Sequence, residues 1–116
     1  MASPCCFHLP AGTPTDVINA MEAEVRRIEA KYSRYRDDSV LSEINQRAGQ
    51  TVGLDNETLW LINYACACFE QSDGLFDISS GVLRQAWDFR AGQLPSEATL
   101  ARLLPRIGLS RIEISE

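Results

Sequence analysis

Apolar positions along the chain fall into short periodic stretches divided by polar turns. Val17, Met21, Val25, Ile28, Tyr32 and Tyr35 recur at intervals of three and four residues, which traces one face of a helix. Thr13-Pro14-Thr15-Asp16 stands in front of this stripe. Thr13 suits the N-cap, Pro14 the first helical position and Asp16 the reciprocal place of a capping box. The pattern predicts a helix from there to about Tyr32, with Glu22, Arg26, Arg27, Glu29 and Lys31 on its solvated side. A polar turn over 33–38 comes next. Ser39 then caps a short helix reaching Asn45, and Ala48-Gly49 ends it. Thr51-Val52 suits a short extended piece. Asp55 reads as the N-cap of a third helix. In it Leu59, Ile62, Cys66 and Phe69 form the stripe, and Leu61, Ala65 and Cys68 widen it. Ser72-Asp73-Gly74 stops that helix. Ser79-Ser80-Gly81 opens a short helix over 82–89. Ser96 caps a last one carrying Leu100, Leu103, Leu104 and Ile107, in which Pro105 kinks the final turn or starts a new one.

Two stretches carry strand signals. Residues 4–9 are a short apolar run ended by Pro10 and Gly12, and residues 109–115 alternate apolar and polar. The predicted class is α+β: several helices with short terminal strands. Two short strands do not make an independently stable sheet. The element order therefore reads as the first part of a larger α+β fold.

Composition narrows the function classes. A chain of 116 residues corresponds to one domain or part of one. With 45% hydrophobic and 23% charged residues it has ordinary globular usage, which excludes a disordered chain. A net charge of −5 argues against non-specific nucleic-acid binding and against an anionic membrane surface. No apolar stretch is long enough to span a bilayer. The opening residues lack the basic and apolar regions of a secretory signal, so the chain as written reads as cytoplasmic or as already stripped of a targeting segment. The four cysteines, Cys5-Cys6 and Cys66-x-Cys68, lack C-x-x-C spacing and are expected to be buried free thiols. His8, the one histidine, sits in an apolar run and reads as structural, with no nucleophile to serve.

Three segments stand out as candidate chemistry. In Ser33-Arg34-Tyr35, with Ser39, Leu41, Ser42 and Asn45, the tyrosine ends a helical stripe. It either caps the core margin or offers an aromatic platform to a flat ligand with Ser and Asn donors nearby. The stretch 72–81 sets Gly74, Phe76 and Asp77 between two helices. It is either a tight connection in which Asp77 or Ser80 caps the next helix, or a loop whose glycine admits a ligand and whose Ser79-Ser80-Gly81 offers N–H groups to an anion. Trp87-Asp88-Phe89 reads as core aromatics.

In this order the segments resemble the ApbE family of flavin transferases. Ser33-Arg34-Tyr35-x-x-x-Ser39-x-Leu41-Ser42-x-x-Asn45 resembles the family's early motif. Gly74-Leu75-Phe76-Asp77-Ile78-Ser79-x-Gly81-x-Leu83-x-x-x-Trp87-x-Phe89 resembles its second, usually G-x-F/M-D-I/P-T-V-G-P-L-V-x-x-W-G-F. Met1-Ala2-Ser3-Pro4-Cys5 resembles the M-G-T/S-P-C start, and Ile107-Gly108-Leu109-x-x-Ile112 the stretch after the second motif. Ala2, Ser79, Ser80 and Val82 depart from the usual Gly, Thr, Val and Pro.

The resemblance spans essentially all of residues 1–116 and implies the N-terminal portion of an ApbE-like domain, with the C-terminal half absent. It implies an FAD:protein FMN transferase, which moves FMN from FAD to a Ser or Thr hydroxyl of a target protein and releases AMP, with Mg²⁺ assisting. Some members hydrolyse FAD instead or as well. The family's flavin-contacting positions fall on Met1, Tyr35, Gly74, Leu75 and Phe76; no catalytic residue is assigned. Its Mg²⁺ ligands are expected outside this chain, so the chain alone is expected to be incomplete and inactive. Members are often exported to the periplasm or anchored to a membrane. Two other readings stand beside this one: a degenerate flavin-binding or protein-binding module without catalysis, and a small helical interaction domain. Self-association through exposed apolar surface is a further expectation.

Overall fold

The structure, a computed structural model, describes residues 4–87 and 92–115. Among the described residues, four α-helices succeed one another: α1 (Thr15–Lys31), α2 (Val40–Gln46), α3 (Asn56–Gln71) and α4 (Glu97–Leu103). Three 3₁₀ helices among these residues, Ile78–Gln85, Leu104–Arg106 and Leu109–Arg111, occupy the later part of the chain. The chain divides into two compact units, Met1–Gly53 and Leu54–Glu116.

This overturns the α+β expectation. Among the described residues the chain is helical, and the strand component reduces to a single bridging residue, Gln93. Residues 4–9 form no regular element, and the alternating stretch begins as the 3₁₀ helix Leu109–Arg111. Ile112 does have extended backbone, with φ −97 and ψ 114. Ile112 and Ile114 are nevertheless exposed, so the face that alternation defines is not buried. Extended conformation becomes a strand only when a neighbour takes up its N–H and C=O groups, and alternation cannot supply that neighbour.

The first unit holds α1 and α2. Pro14, not Thr13, stands at the N-cap of α1, which has no side-chain cap. Thr13 instead closes a turn on Pro10, whose carbonyl accepts from both its backbone N–H (3.2 Å) and its hydroxyl (2.7 Å). The polar side of α1 carries Arg26–Glu22 and Arg27–Glu24 ion pairs, spaced four and three residues apart as helix geometry requires. Ser39 caps α2 by accepting the Ser42 N–H at 3.0 Å.

In the second unit Asp55 caps α3 by accepting the Thr58 N–H at 2.9 Å. Ser96 caps α4 in the same way through the Thr99 N–H at 3.2 Å. Pro105 falls at the start of a new 3₁₀ turn, as a residue lacking an N–H should. The 3₁₀ helix over Ile78–Gln85 packs on α4 and on Leu104–Arg106. Leu103, fully buried, lies in α4. Ala65 and Thr58 are the buried residues of α3, while on its exposed side Trp60 and Tyr64 stack with ring centroids 5.5 Å apart.

Two backbone hydrogen bonds close the end of α3. The Asp73 N–H bonds the Glu70 carbonyl (3.3 Å) and the Gly74 N–H bonds the Phe69 carbonyl (2.9 Å). These are the reciprocal bonds of a Schellman cap. The left-handed position that such a cap usually gives to glycine is held here by Asp73, at φ 52, and Gly74 continues at φ 79. No described helix is long and apolar enough to cross a membrane.

Candidate flavin-contacting segments

Tyr35 belongs to the first unit, in the turn between α1 and α2. That turn is stitched by its serines. The Ser39 hydroxyl, buried, donates to the Ser33 carbonyl (2.5 Å), and the Ser42 hydroxyl donates to the Arg36 carbonyl (2.6 Å). Ser33 in turn accepts the Tyr35 N–H at 3.2 Å. The serines that looked like ligand donors in the sequence are therefore committed to shaping the turn. The outcome is an aromatic ring presented outward: Tyr35 is 67% exposed, with the Arg34 guanidinium 5.4 Å from its ring centroid. Arg36 forms a two-point pair with Asp38, at 2.9 and 2.7 Å. The hydrogen bond from Arg36 holds the Asp38 carboxyl below the usual carboxylate range.

Gly74, Leu75 and Phe76 lie in the second unit, directly after the α3 cap. Leu75 is 93% exposed and Phe76 half-exposed. Their backbone is nonetheless fixed. The Leu75 N–H bonds the Ser72 carbonyl (3.1 Å), and the Phe76 N–H bonds the Ser72 hydroxyl (2.9 Å), which itself donates to the Phe69 carbonyl (3.1 Å). A Cβ built on Gly74 would face the Phe69 ring at 3.4 Å. On the other side of the loop Asp77 caps the 3₁₀ helix, as the connecting-loop alternative anticipated. Its Oδ1 accepts both the N–H (2.8 Å) and the hydroxyl (2.6 Å) of Ser79. The Ser79 hydroxyl also accepts the Gly108 N–H at 2.8 Å.

Met1 and Phe89 lie outside the described residues. Trp87 comes after the 3₁₀ helix and is 37% exposed, so it is not the core residue its sequence context suggested. His8 is exposed in irregular backbone. None of the four cysteines is buried: Cys5 and Cys6 are exposed, Cys66 and Cys68 half-buried. Among the described residues no three His, Cys, Asp or Glu side chains converge on a cation site.

The sequence model of the ApbE family matches residues 2–116. This chain belongs to the ApbE family. Its fold agrees with that of a solved relative, the ApbE protein of Thermotoga maritima: 31% identical, with a TM-score of 0.76 over 84% of this chain. The match spans 33% of the Thermotoga chain. No match is found among curated proteins.

Proposed function

We propose that this ApbE chain supplies a flavin-binding portion of an FAD:protein FMN transferase. In that reaction the acceptor Ser or Thr oxygen attacks the phosphorus on the FMN side of the FAD pyrophosphate. The bond from that phosphorus to the bridging oxygen breaks, AMP leaves with the oxygen, and the hydroxyl proton is released. In the first unit Tyr35 provides an aromatic face; in the second, Leu75 and Phe76 provide apolar contact beside the Gly74 backbone. Met1 is included by family resemblance alone.

The observation that best supports this reading is a pair of exposed apolar side chains on a fixed backbone. Leu75 and Phe76 project from a loop in which the N–H groups of Gly74, Leu75 and Phe76 are all engaged. Exposed apolar side chains on a preorganised loop suit contact with a flat, largely apolar ring. Phosphoryl transfer gains from a divalent cation that spreads the charge of the pyrophosphate. The described residues do not fit such a cation: no acidic cluster forms, and Asp77 directs Oδ1 to Ser79. The family resemblance implies that the cation ligands lie outside this chain, and on that ground catalysis by this chain alone is not expected.

Titration of the purified chain with FAD, followed by flavin fluorescence, tests the binding claim. Saturable quenching is expected, weakened in Tyr35→Ala and in Phe76→Ala. An unresponsive wild-type chain overturns the reading. A parallel assay for AMP, with and without Mg²⁺, is expected to stay at background, and AMP release overturns the claim of inertness.

A further inference from the structure

The Ser79 hydroxyl makes two hydrogen bonds that reach in opposite directions. It donates to Asp77 Oδ1 at 2.6 Å and accepts the Gly108 N–H at 2.8 Å, joining positions 29 residues apart. The first bond ends on the residue directly after Phe76. The second ends on the turn between the 3₁₀ helices Leu104–Arg106 and Leu109–Arg111. Both Asp77 and Ser79 are half-buried, and Gly108 is half-buried too. A hydroxyl that donates to a carboxylate becomes a better acceptor, so the two bonds reinforce each other.

Gly108 is suited to its part. Its φ of 150 is reached readily by glycine, and a Cβ there would meet only Ser110 and Arg111 side-chain atoms at 3.7 Å or more. The Gly108 N–H is thus aimed by backbone conformation, and its partner is a side chain. On the other side of the exposed loop, Ser72 fixes Phe76 from the end of α3. Leu75 and Phe76 are consequently suspended between two serine hydroxyls, one at the end of α3 and one tied to the turn after α4.

We infer that Ser79 is a positioning residue: through Asp77 and Gly108 it holds the Leu75–Phe76 loop in the geometry that contacts ligand. The ligand side of this inference rests on the flavin-binding role proposed for the loop, whereas the clamp itself does not. Its hydroxyl is committed to Asp77 and Gly108, so it acts through the backbone it fixes. Threonine keeps the hydroxyl and should keep the function; alanine removes both bonds.

The test uses the full isotope-labelled chain with Ser79→Ala and Ser79→Thr. Amide hydrogen exchange is read at Gly108, Leu75 and Phe76 without flavin, and FAD affinity is read separately. In Ser79→Ala, exchange at all three amides should rise about five- to tenfold, the loss expected for one net hydrogen bond, and FAD affinity should fall by a similar factor. Ser79→Thr should restore both. Unchanged exchange at Leu75 and Phe76 overturns the clamp. Faster exchange with unaltered FAD affinity overturns its role in binding. If the wild-type chain binds no FAD, the flavin reading fails and the exchange data alone decide the clamp. Should Ser79→Ala not fold, the near-isosteric Ser79→Cys carries the same measurements and the same criteria.

Discussion

Replacing Gly74 by alanine separates two reasons for a glycine beside the exposed loop. One is a ligand that needs bare backbone; the other is the helix cap. The geometry favours the second. Gly74 sits at φ 79, and its missing Cβ would face the Phe69 ring at 3.4 and 3.5 Å. That distance is ordinary van der Waals contact, so collision adds little. The left-handed backbone costs an L-residue about 1–2 kcal/mol, and the stiffer unfolded chain returns about 0.4–1 kcal/mol. The net loss is about 1 kcal/mol. With a urea slope of about 1 kcal/mol/M for a small folding unit, the midpoint should fall by about 1 M. Asparagine tolerates left-handed backbone, so Gly74→Asn should lose less. Urea unfolding followed by tryptophan fluorescence and circular dichroism gives these numbers. FAD affinity, measured under conditions where each variant is folded, should change less than about twofold, a difference worth under ~0.5 kcal/mol. An unmoved midpoint together with a tenfold loss of affinity in both variants would refute the reasoning, since it would place the need for glycine at the ligand.

Other substitutions probe neighbouring features. Asp73→Gly puts the usual residue at the left-handed cap position and should stabilise the chain by up to about 1 kcal/mol, seen as a higher urea midpoint. Leu103→Ala empties the fully buried position of α4 and should cost about 2–5 kcal/mol; a loss below about 1 kcal/mol by urea unfolding would show that the site is loosely packed. The hydrogen bond from Arg36 lowers the Asp38 pKa, so the pair contributes above the normal carboxylate pKa and fades as pH falls through the lowered one. Arg36→Ala should raise the Asp38 midpoint in an NMR titration, while overall stability barely moves because the pair lies at the solvent-exposed surface. Leu75 and Leu94 are 93% and 83% exposed, and sedimentation should show concentration-dependent self-association that Leu75→Ser with Leu94→Ser reduces.

The helices were legible because their signals are local. Ser39, Asp55 and Ser96 each bond the N–H three residues on, and that depends on nothing outside the first turn. Thr13 carried the same signal and failed, since its hydroxyl closes a turn on Pro10 before α1 begins. The strands failed for the opposite reason. A strand is defined by what lies beside it, and neither residues 4–9 nor 109–115 name their neighbour. In the candidate segments, the family resemblance pointed to Tyr35 and, separately, to Gly74, Leu75 and Phe76. It could not reveal that Ser39 and Ser42 are spent on carbonyls, or that Ser79 reaches Gly108. Both depend on how the turn closes in space. A serine paired with a distant glycine before a turn carries no periodic signature.

The cap of α3 also bears on the chemical ageing of the chain. Asp73-Gly74 is an Asp-Gly pair, the dipeptide in which the following backbone nitrogen most easily attacks the side-chain carboxyl, losing its proton and expelling water to form a cyclic imide. Reopening of that ring inserts an extra backbone carbon and leaves an isoaspartyl link. Here the attacking nitrogen belongs to Gly74, whose N–H is bonded to the Phe69 carbonyl at 2.9 Å. The hydrogen bond that ends the helix therefore also restrains the nucleophile, and the chemical lifetime of this peptide bond is set by how often the helix end opens.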